Sequence, residues 1–267
     1  MVDERFAADE ANRRLYVDLA TRSGGSVDLT DGLTLVTGTH PSPVIANVAF
    51  RTAEERSPDP SPRVLELVTR HFERVGHGAA LMTSERRDAE LEAAAAAAGW
   101  RVIVELPVMV VDAPMPVARE ALLTRWVHSG ADLATFREVL AEGFADDDDE
   151  RGMVRALFAS PSSLAAPGVR AIIAEADGAF IGAGAVYRFD RAAVVGWITV
   201  LASHRRRGLG SAITAALTDT AFGDGSDLVI LQASPQGFPV YSRMGFRQVG
   251  RDRIWFPPSE TGPLAEI

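Results

Sequence analysis

Arg205-Arg206-Arg207-Gly208-Leu209-Gly210 stands between an apolar run at residues 194–201 and a helix-like stretch that continues to Phe222. An apolar strand that stops at a basic, glycine-containing turn and passes into a helix points unpaired N–H groups at whatever lies in front of them. Such a turn is a seat for phosphate. Glycine at 208 and 210 lets an anion approach the main chain, and the helix N-terminus adds about 0.3–1 kcal/mol per anion. The arginines add charge and forked donors.

The chain is rich in Arg, Gly and Ala, so the pattern Arg/Gln-x-x-Gly-x-Gly/Ala gains its weight from its surroundings. A second apolar strand follows at residues 228–232, and then Tyr241-Ser242-Arg243-Met244-Gly245-Phe246. Strand, R-x-x-G-x-G, helix, strand, short helix carrying Tyr, and Gly-Phe, in that order, resemble the GNAT superfamily of acyl-CoA-dependent N-acetyltransferases. The resemblance covers roughly residues 118–257. It implies an α+β fold with a mixed, mostly antiparallel central sheet flanked by helices.

With 267 residues and 47% apolar content, the chain has enough material for packed cores, as one large domain or two ordinary ones. The run at residues 102–111 is broken by Glu105 and Pro107 and is shorter than the ~20 residues that span a bilayer. The first residues, Met1-Val2-Asp3-Glu4-Arg5, are acidic rather than basic-then-apolar, so a cytoplasmic protein without membrane contact is expected. Cysteine is absent, which excludes disulfides, thiolate metal sites and a covalent acyl-cysteine relay. Lysine is absent as well, which excludes Schiff-base chemistry. The net charge of −9 argues against nucleic acid as a partner and favours a cationic small substrate.

Asp112-Ala113-Pro114-Met115-Pro116 interrupts helix and sheet alike, which predicts a linker at 113–117 between halves at 1–112 and 118–267. In the second half, residues 121–127 read as a strand and 132–144 as an amphipathic helix with Asp132 at its N-cap. Residues 146–150 read as a charged loop and 153–158 as a short helix. Strands at 169–176, 182–189 and 192–201 form an antiparallel meander, with Asp177-Gly178 as hairpin turn. The helix from Gly208 then requires a right-handed parallel crossover to the strand at 228–233. Strands at 246–249 and 252–256 are expected to pair and close the domain.

The first half has a fainter version of this order. Paired strands at 33–38 and 44–51, a helix at 64–75, a strand at 79–83 and a helix at 89–98 lead to Gly99-Trp100-Arg101 and a strand at 102–111. Gly245-Phe246-Arg247 follows its own helix in the same way. An ordinary capped helix would leave the same local mark. The matching order predicts two tandem copies, the first a degenerate one, because residues 58–63 carry no glycine and no phosphate motif. His40 and Asn47 read as turn and strand residues.

The resemblance implies acetyl-CoA as cosubstrate, no metal, and direct attack by a primary amine in a ternary complex. By position in the motif, Val200 and Leu201 would offer main-chain groups to the pantetheine arm, and the Val200 N–H would receive the developing oxyanion. The diphosphate would rest on Arg206, Arg207, Gly208, Leu209, Gly210 and Ser211, with Arg205 opening the motif. Ser234 stands where many relatives place an asparagine for the pantetheine arm. Tyr241 holds the general-acid position; an ordinary phenol pKa near 10 keeps it protonated at neutral pH. Residues 192–203 contain no carboxylate, where relatives often place a glutamate base. Glu175, the acids at 146–150 and water ending on a backbone carbonyl all remain candidates, whereas His204 lies beside the phosphate loop. Thr199 and Trp197 would alternate between substrate and core. A non-catalytic acyl-CoA-binding module stands as the second reading, and monomer and homodimer both remain open.

Overall fold

The computed structural model describes residues 3–43, 47–52, 61–114, 123–145, 147–176 and 178–260. The first half forms helix α1 (Glu4–Ser23), strands β1 (Ser26–Thr30), β2 (Leu33–Thr37) and β3 (Asn47–Arg51), helix α2 (Ser61–Val75), strand β4 (Leu81–Ser84), helix α3 (Ala89–Ala97) and strand β5 (Arg101–Val111). The second half forms β6 (Leu123–Trp126), α4 (Gly130–Phe144), α5 (Asp148–Leu157), β7 (Val169–Ala176), β8 (Ala179–Phe189), β9 (Ala192–Val200), α6 (Leu209–Gly223), β10 (Leu228–Gln232), α7 (Phe238–Arg243) and β11 (Arg247–Phe256). The described strands make one sheet in the order β1-β2-β3-β4-β11-β5-β10-β9-β8-β7-β6.

The order has an internal symmetry. Strands β1-β2-β3-β4-β11 repeat the pairing of β7-β8-β9-β10-β5: two antiparallel steps, one parallel step, one antiparallel step. The parallel steps, β3 to β4 and β9 to β10, are bridged by α2 and α6, as a crossover requires. The α3 and α7 helices end alike, with Trp100 N–H bonded to Ala95 C=O (2.9 Å) and Phe246 N–H to Tyr241 C=O (3.0 Å). Each last strand then crosses to the other half. β5 lies between β10 and β11, and β11 lies between β4 and β5. The expected closing pair at 246–249 and 252–256 is therefore one strand, β11, whose partners both belong to the first half.

Other corrections are local. The N-cap of helix α4 lies three residues earlier than expected, at Ser129 instead of Asp132, and Asp132 returns its side chain to the Ser129 N–H as a capping box. The acidic stretch expected as a loop is the first turn of α5, capped by Asp147. Residues 115–117 of the expected linker, 58–60 of the first-half turn, and Asp146 and Asp177 lie outside the described residues.

Helix α1 lies across one face of the joined sheet. Asp3 accepts from Arg5 N–H at its start, and Gly24, at φ 89°, ends it in the left-handed conformation that glycine adopts without a Cβ penalty. Ala8, Ala11, Leu15 and Leu19 enter the second-half core with Phe136, Phe158 and Trp197. Tyr16 and Ala20 enter the first-half core with Phe50 and Ile254. The opposite face carries α6 over Ile172, Val195 and Val229 and α2 with α3 over Leu33, Leu81 and Trp255.

A buried charged layer lies between α1 and the exchanged strands. Arg13 (4% exposed) stands 3.8 Å from Asp9 and 3.9 Å from Asp88, and Arg51 stands 3.7 Å from Asp88. Asp252 accepts from Gln232 Nε2 at 2.7 Å, and Gln232 Oε1 accepts from the Tyr16 hydroxyl at 3.3 Å. Burial is the largest cause that pushes the Asp252 carboxyl up, to about 7; Arg13 and the Gln232 bond act against it, while Asp9 and Asp88 add to it.

Candidate active site

β9 and β10 pair only at Leu228↔Ala192, Val229↔Ala193 and Ile230↔Val194. Beyond Val194 they separate into a V, because β9 bends. Its register against β8 shifts between Ala183↔Thr199 and Ala185↔Gly196, so one extra residue is accommodated as a β-bulge. Trp197 absorbs it at φ 58°, a conformation costing a non-glycine residue about 1–3 kcal/mol. Packing holds it there: the indole meets Phe144 and Phe158 edge-on, at 5.7 and 5.1 Å. Trp197 thus faces the core beside α4, and Thr199, on the same side, packs against Gly143 and also lines the cleft.

The bulge decides what the end of β9 offers. Leu201 N–H bonds Ile181 C=O at 2.8 Å, and the Leu201 carbonyl accepts from His204 N–H at 2.8 Å. Main-chain groups alternate sides along an antiparallel strand, so the N–H and C=O of Val200 point away from β8 and into the V. The Val200 carbonyl accepts from Arg205 Nε at 2.9 Å, and the same guanidinium donates through Nη2 to Gly143 C=O at 3.2 Å.

The glycine-containing turn sits at the mouth of the V. Arg206 (φ 65°) and Gly208 (φ 78°) take left-handed conformations, and a Cβ on Gly208 would meet nothing within 4 Å. The first α6 bond runs from Ala212 N–H to Gly208 C=O (3.1 Å), and no side chain caps the helix. The amides of Leu209, Gly210 and Ser211 therefore have no intrahelical acceptor. Among the described residues Arg206 and Arg207 have no ion-pair or hydrogen-bond partner.

A cleft of about 640 Å³ runs from this turn along the V to α7. Tyr241 lines it, its ring against Gly237, where a Cβ would stand 2.7 Å from Tyr241 Cε2. Burial pushes the Tyr241 phenol up to about 12, with a hydrogen bond to Thr214 pulling the other way. Ser234 lines the cleft as well; its hydroxyl accepts from Gly237 N–H at 3.1 Å and shapes the turn into α7. Sequence reasoning missed Arg243 and the Gly143–Phe144 wall, which the fold brings in from α7 and α4. The spacing of Arg243 after Tyr241 was the available signal for the first; nothing local marks the second.

The cleft lining contains Arg205, Arg206, Arg243 and His204 but no carboxylate. Glu175 is paired with Leu123 and Phe180 on β7, two strands from Val200, a separation of about 10 Å at ~4.8 Å per strand. Asp149 accepts from the Ser42 hydroxyl and lies 3.9 Å from His40, so that part of the acidic cluster holds α5 against the first half. Among the described residues no group of three His, Asp or Glu is placed to hold a metal ion.

The first half has a counterpart to this V, and side chains fill it. β3 and β4 pair only at Ala49↔Leu81. Thr52 N–H bonds Gly32 C=O (2.9 Å) as Leu201 bonds Ile181, which makes Arg51 the counterpart of Val200. Arg87 Nη2 reaches the Thr52 carbonyl at 2.7 Å, and Arg51 with Asp88 occupies the gap beside it.

A family model for the acetyltransferase (GNAT) domain matches residues 155–254. No curated protein matches the chain. Among solved structures, a GCN5-related N-acetyltransferase from Kribbella flavida superposes with a TM-score of 0.69 at 18% identity, over 92% of this chain and 95% of that one. A GCN5-related N-acetyltransferase from Sphaerobacter thermophilus gives 0.59 at 15%, over 94% and 92%. A tandem GNAT protein from the clavulanic acid biosynthesis pathway gives 0.55 at 18%, over 86% and 79%. At these identities the neighbours establish the fold, and the family model establishes the domain. Residues 155–254 thus carry the acetyltransferase (GNAT) domain, and the chain as a whole shares its fold with solved GNAT proteins, one of them a tandem GNAT protein.

Proposed function

We propose that the chain transfers an acetyl group from acetyl-CoA to the primary amine of a small, cationic molecule, by direct attack within a ternary complex. The observation that carries this reading is the cleft itself. In a chain of net charge −9, it is lined by arginines and a histidine without a carboxylate, and it opens on the three free amides of α6. That combination fits a diphosphate at one end. The amides from Arg206 to Ser211, with Arg206, Arg207 and Arg243, would hold it.

At the other end the Val200 N–H, free of β8, is the donor for the oxyanion that forms as the amine attacks. The new C–N bond forms, the C–S bond breaks, and the Tyr241 phenol gives its proton to the departing thiolate. A phenol pushed up to about 12 stays protonated throughout the neutral range. Ser234 would steady the pantetheine arm through its remaining hydroxyl lone pair. With Glu175 two strands away, the amine's proton leaves to bulk solvent through water that a backbone carbonyl orients, and solvent reprotonates Tyr241 after the thiol departs.

The missing carboxylate is also the observation that favours the second reading, a non-catalytic acyl-CoA-binding module. Thiol release from acetyl-CoA across a library of small amines separates the two. The enzyme reading expects turnover, and it expects Tyr241→Phe to lower kcat by about 10²-fold or more while acetyl-CoA affinity by calorimetry holds. Tight acetyl-CoA binding with no thiol released for any amine would decide for the module.

A further inference from the structure

We propose that Arg205 is a positioning residue for acyl transfer: it bonds the Val200 carbonyl and the last turn of α4 together, and so aims the Val200 N–H into the cleft. The inference rests on the acetyltransferase reading above and gives this arginine a task separate from that of its two neighbours. Nε donates to Val200 C=O at 2.9 Å and Nη2 to Gly143 C=O at 3.2 Å. Among the described residues both acceptors are carbonyls left without a main-chain donor. Gly143 C=O is one of the four orphan carbonyls at the C-terminal end of α4, where the helix dipole favours a cation, and Val200 C=O points into a V from which β10 has withdrawn.

Arg206 and Arg207 differ in kind. Among the described residues they bond nothing, so their charge is free for a diphosphate, whereas Arg205 would have to release two carbonyls to turn toward one. The carbonyl it holds belongs to the Val200–Leu201 peptide and the Val200 N–H to the Thr199–Val200 peptide; the two planes are hinged at the Val200 Cα, and along the strand both groups point to the same side. Anchoring the carbonyl restrains the backbone torsions at Val200 and, through its Cα, the direction of the N–H. The α4 side of the clamp is stiff, since Thr199 is packed against Gly143 so closely that no Cβ fits between them.

The test measures acetyl-CoA affinity by calorimetry and kcat at saturating acetyl-CoA for wild type, Arg205→Ala, Arg205→Lys and Arg206→Ala. We expect Arg205→Ala to lose about 10- to 100-fold in kcat, the effect of a misaimed donor, with acetyl-CoA affinity within about threefold of wild type. Arg205→Lys keeps one donor within reach of Val200 and should recover part of that loss. Millimolar guanidinium, far below denaturing concentrations, should raise the turnover of Arg205→Ala and leave wild type unchanged. Arg206→Ala should instead lose acetyl-CoA affinity by about 10-fold or more. The proposal is overturned if Arg205→Ala weakens acetyl-CoA binding as Arg206→Ala does, or if its kcat is unchanged, or if neither Lys nor guanidinium restores any rate. Absence of turnover in wild type would instead sink the acetyltransferase reading, and the inference with it.

Discussion

Replacing Gly143 by alanine tests how tightly α4 is set against the bulged strand. A Cβ at that position would stand 2.2 Å from Thr199 Oγ1, 2.9 Å from its Cγ2 and 3.1 Å from its Cβ. Thr199 is 5% exposed, so its γ atoms have little room to turn away, and its Cβ would still be in tight contact. In an open helix Gly→Ala would gain up to about 1 kcal/mol. Forcing a methyl group into a filled site costs about 1–3 kcal/mol. The overlap is so severe that the second effect should win, by about 1–2 kcal/mol. At about 2–4 °C per kcal/mol for a chain of this size, the melting midpoint should fall by about 2–8 °C. The shift that relieves the clash moves either α4 or the end of β9, and a displacement of ~1 Å at Val200 would cost up to about 10²-fold in kcat. Thermal melts and steady-state rates should be read together with the double variant Gly143→Ala/Thr199→Ala, which removes the two nearest atoms. A positive coupling of about 1 kcal/mol between the sites is expected. An unchanged or raised melting midpoint in Gly143→Ala would refute this account of the wall.

Two further outcomes follow from the buried layer and the filled first-half gap. The folded-state pKa of Asp252 is raised, so the stability linked to this group is complete below the ordinary carboxylate range and is lost as pH rises through about 7. Asp252→Asn cannot ionise, so its melting midpoint relative to wild type should climb between about pH 5 and pH 8; a pH-independent difference would count against a protonated Asp252. Arg87 and the Arg51–Asp88 pair occupy the first-half V, so calorimetric titration with CoA should give one site per chain, and a stoichiometry near two would show that the gap opens.

The segment from β9 to α7 was legible because its signals are local. A strand, a basic turn with glycine at a positive φ, a helix and a second strand each leave a mark within a few residues. Helix α1 was marked only at its ends, by Asp3 before it and Gly24-Gly25 after it; its buried side mixes Asn12 and Arg13 with Ala8, Ala11, Leu15 and Leu19, which blurs the apolar period. The tasks of the arginines were not legible. Arg205, Arg206 and Arg207 are chemically alike, and only the return of α4, which sets Gly143 C=O beside Val200 C=O, puts two carbonyls in front of the first. The clash at Gly143 was hidden for the same reason, since its partner is far away in the chain and belongs to another element.

The exchange of β5 and β11 was illegible for a deeper reason, and it explains why the first half persists beside a filled cleft. Both strands follow a short helix and a Gly-aromatic turn, so nothing local says which neighbour each will choose. Pairing within a half and pairing across the halves satisfy the same main-chain groups. What tips the choice is long-range: β5 and β11 form a ladder from Arg247↔Val110 to Phe256↔Arg101, and α1 covers that joint with Ala8 and Ala11 on one side and Tyr16 and Ala20 on the other. The fixed wall of the second-half V is β10, and β10 is itself held by β5, through Val229↔Val111 to Gln232↔Val108. The V can open beside β9 because its other wall is braced by β5, a strand from the other half.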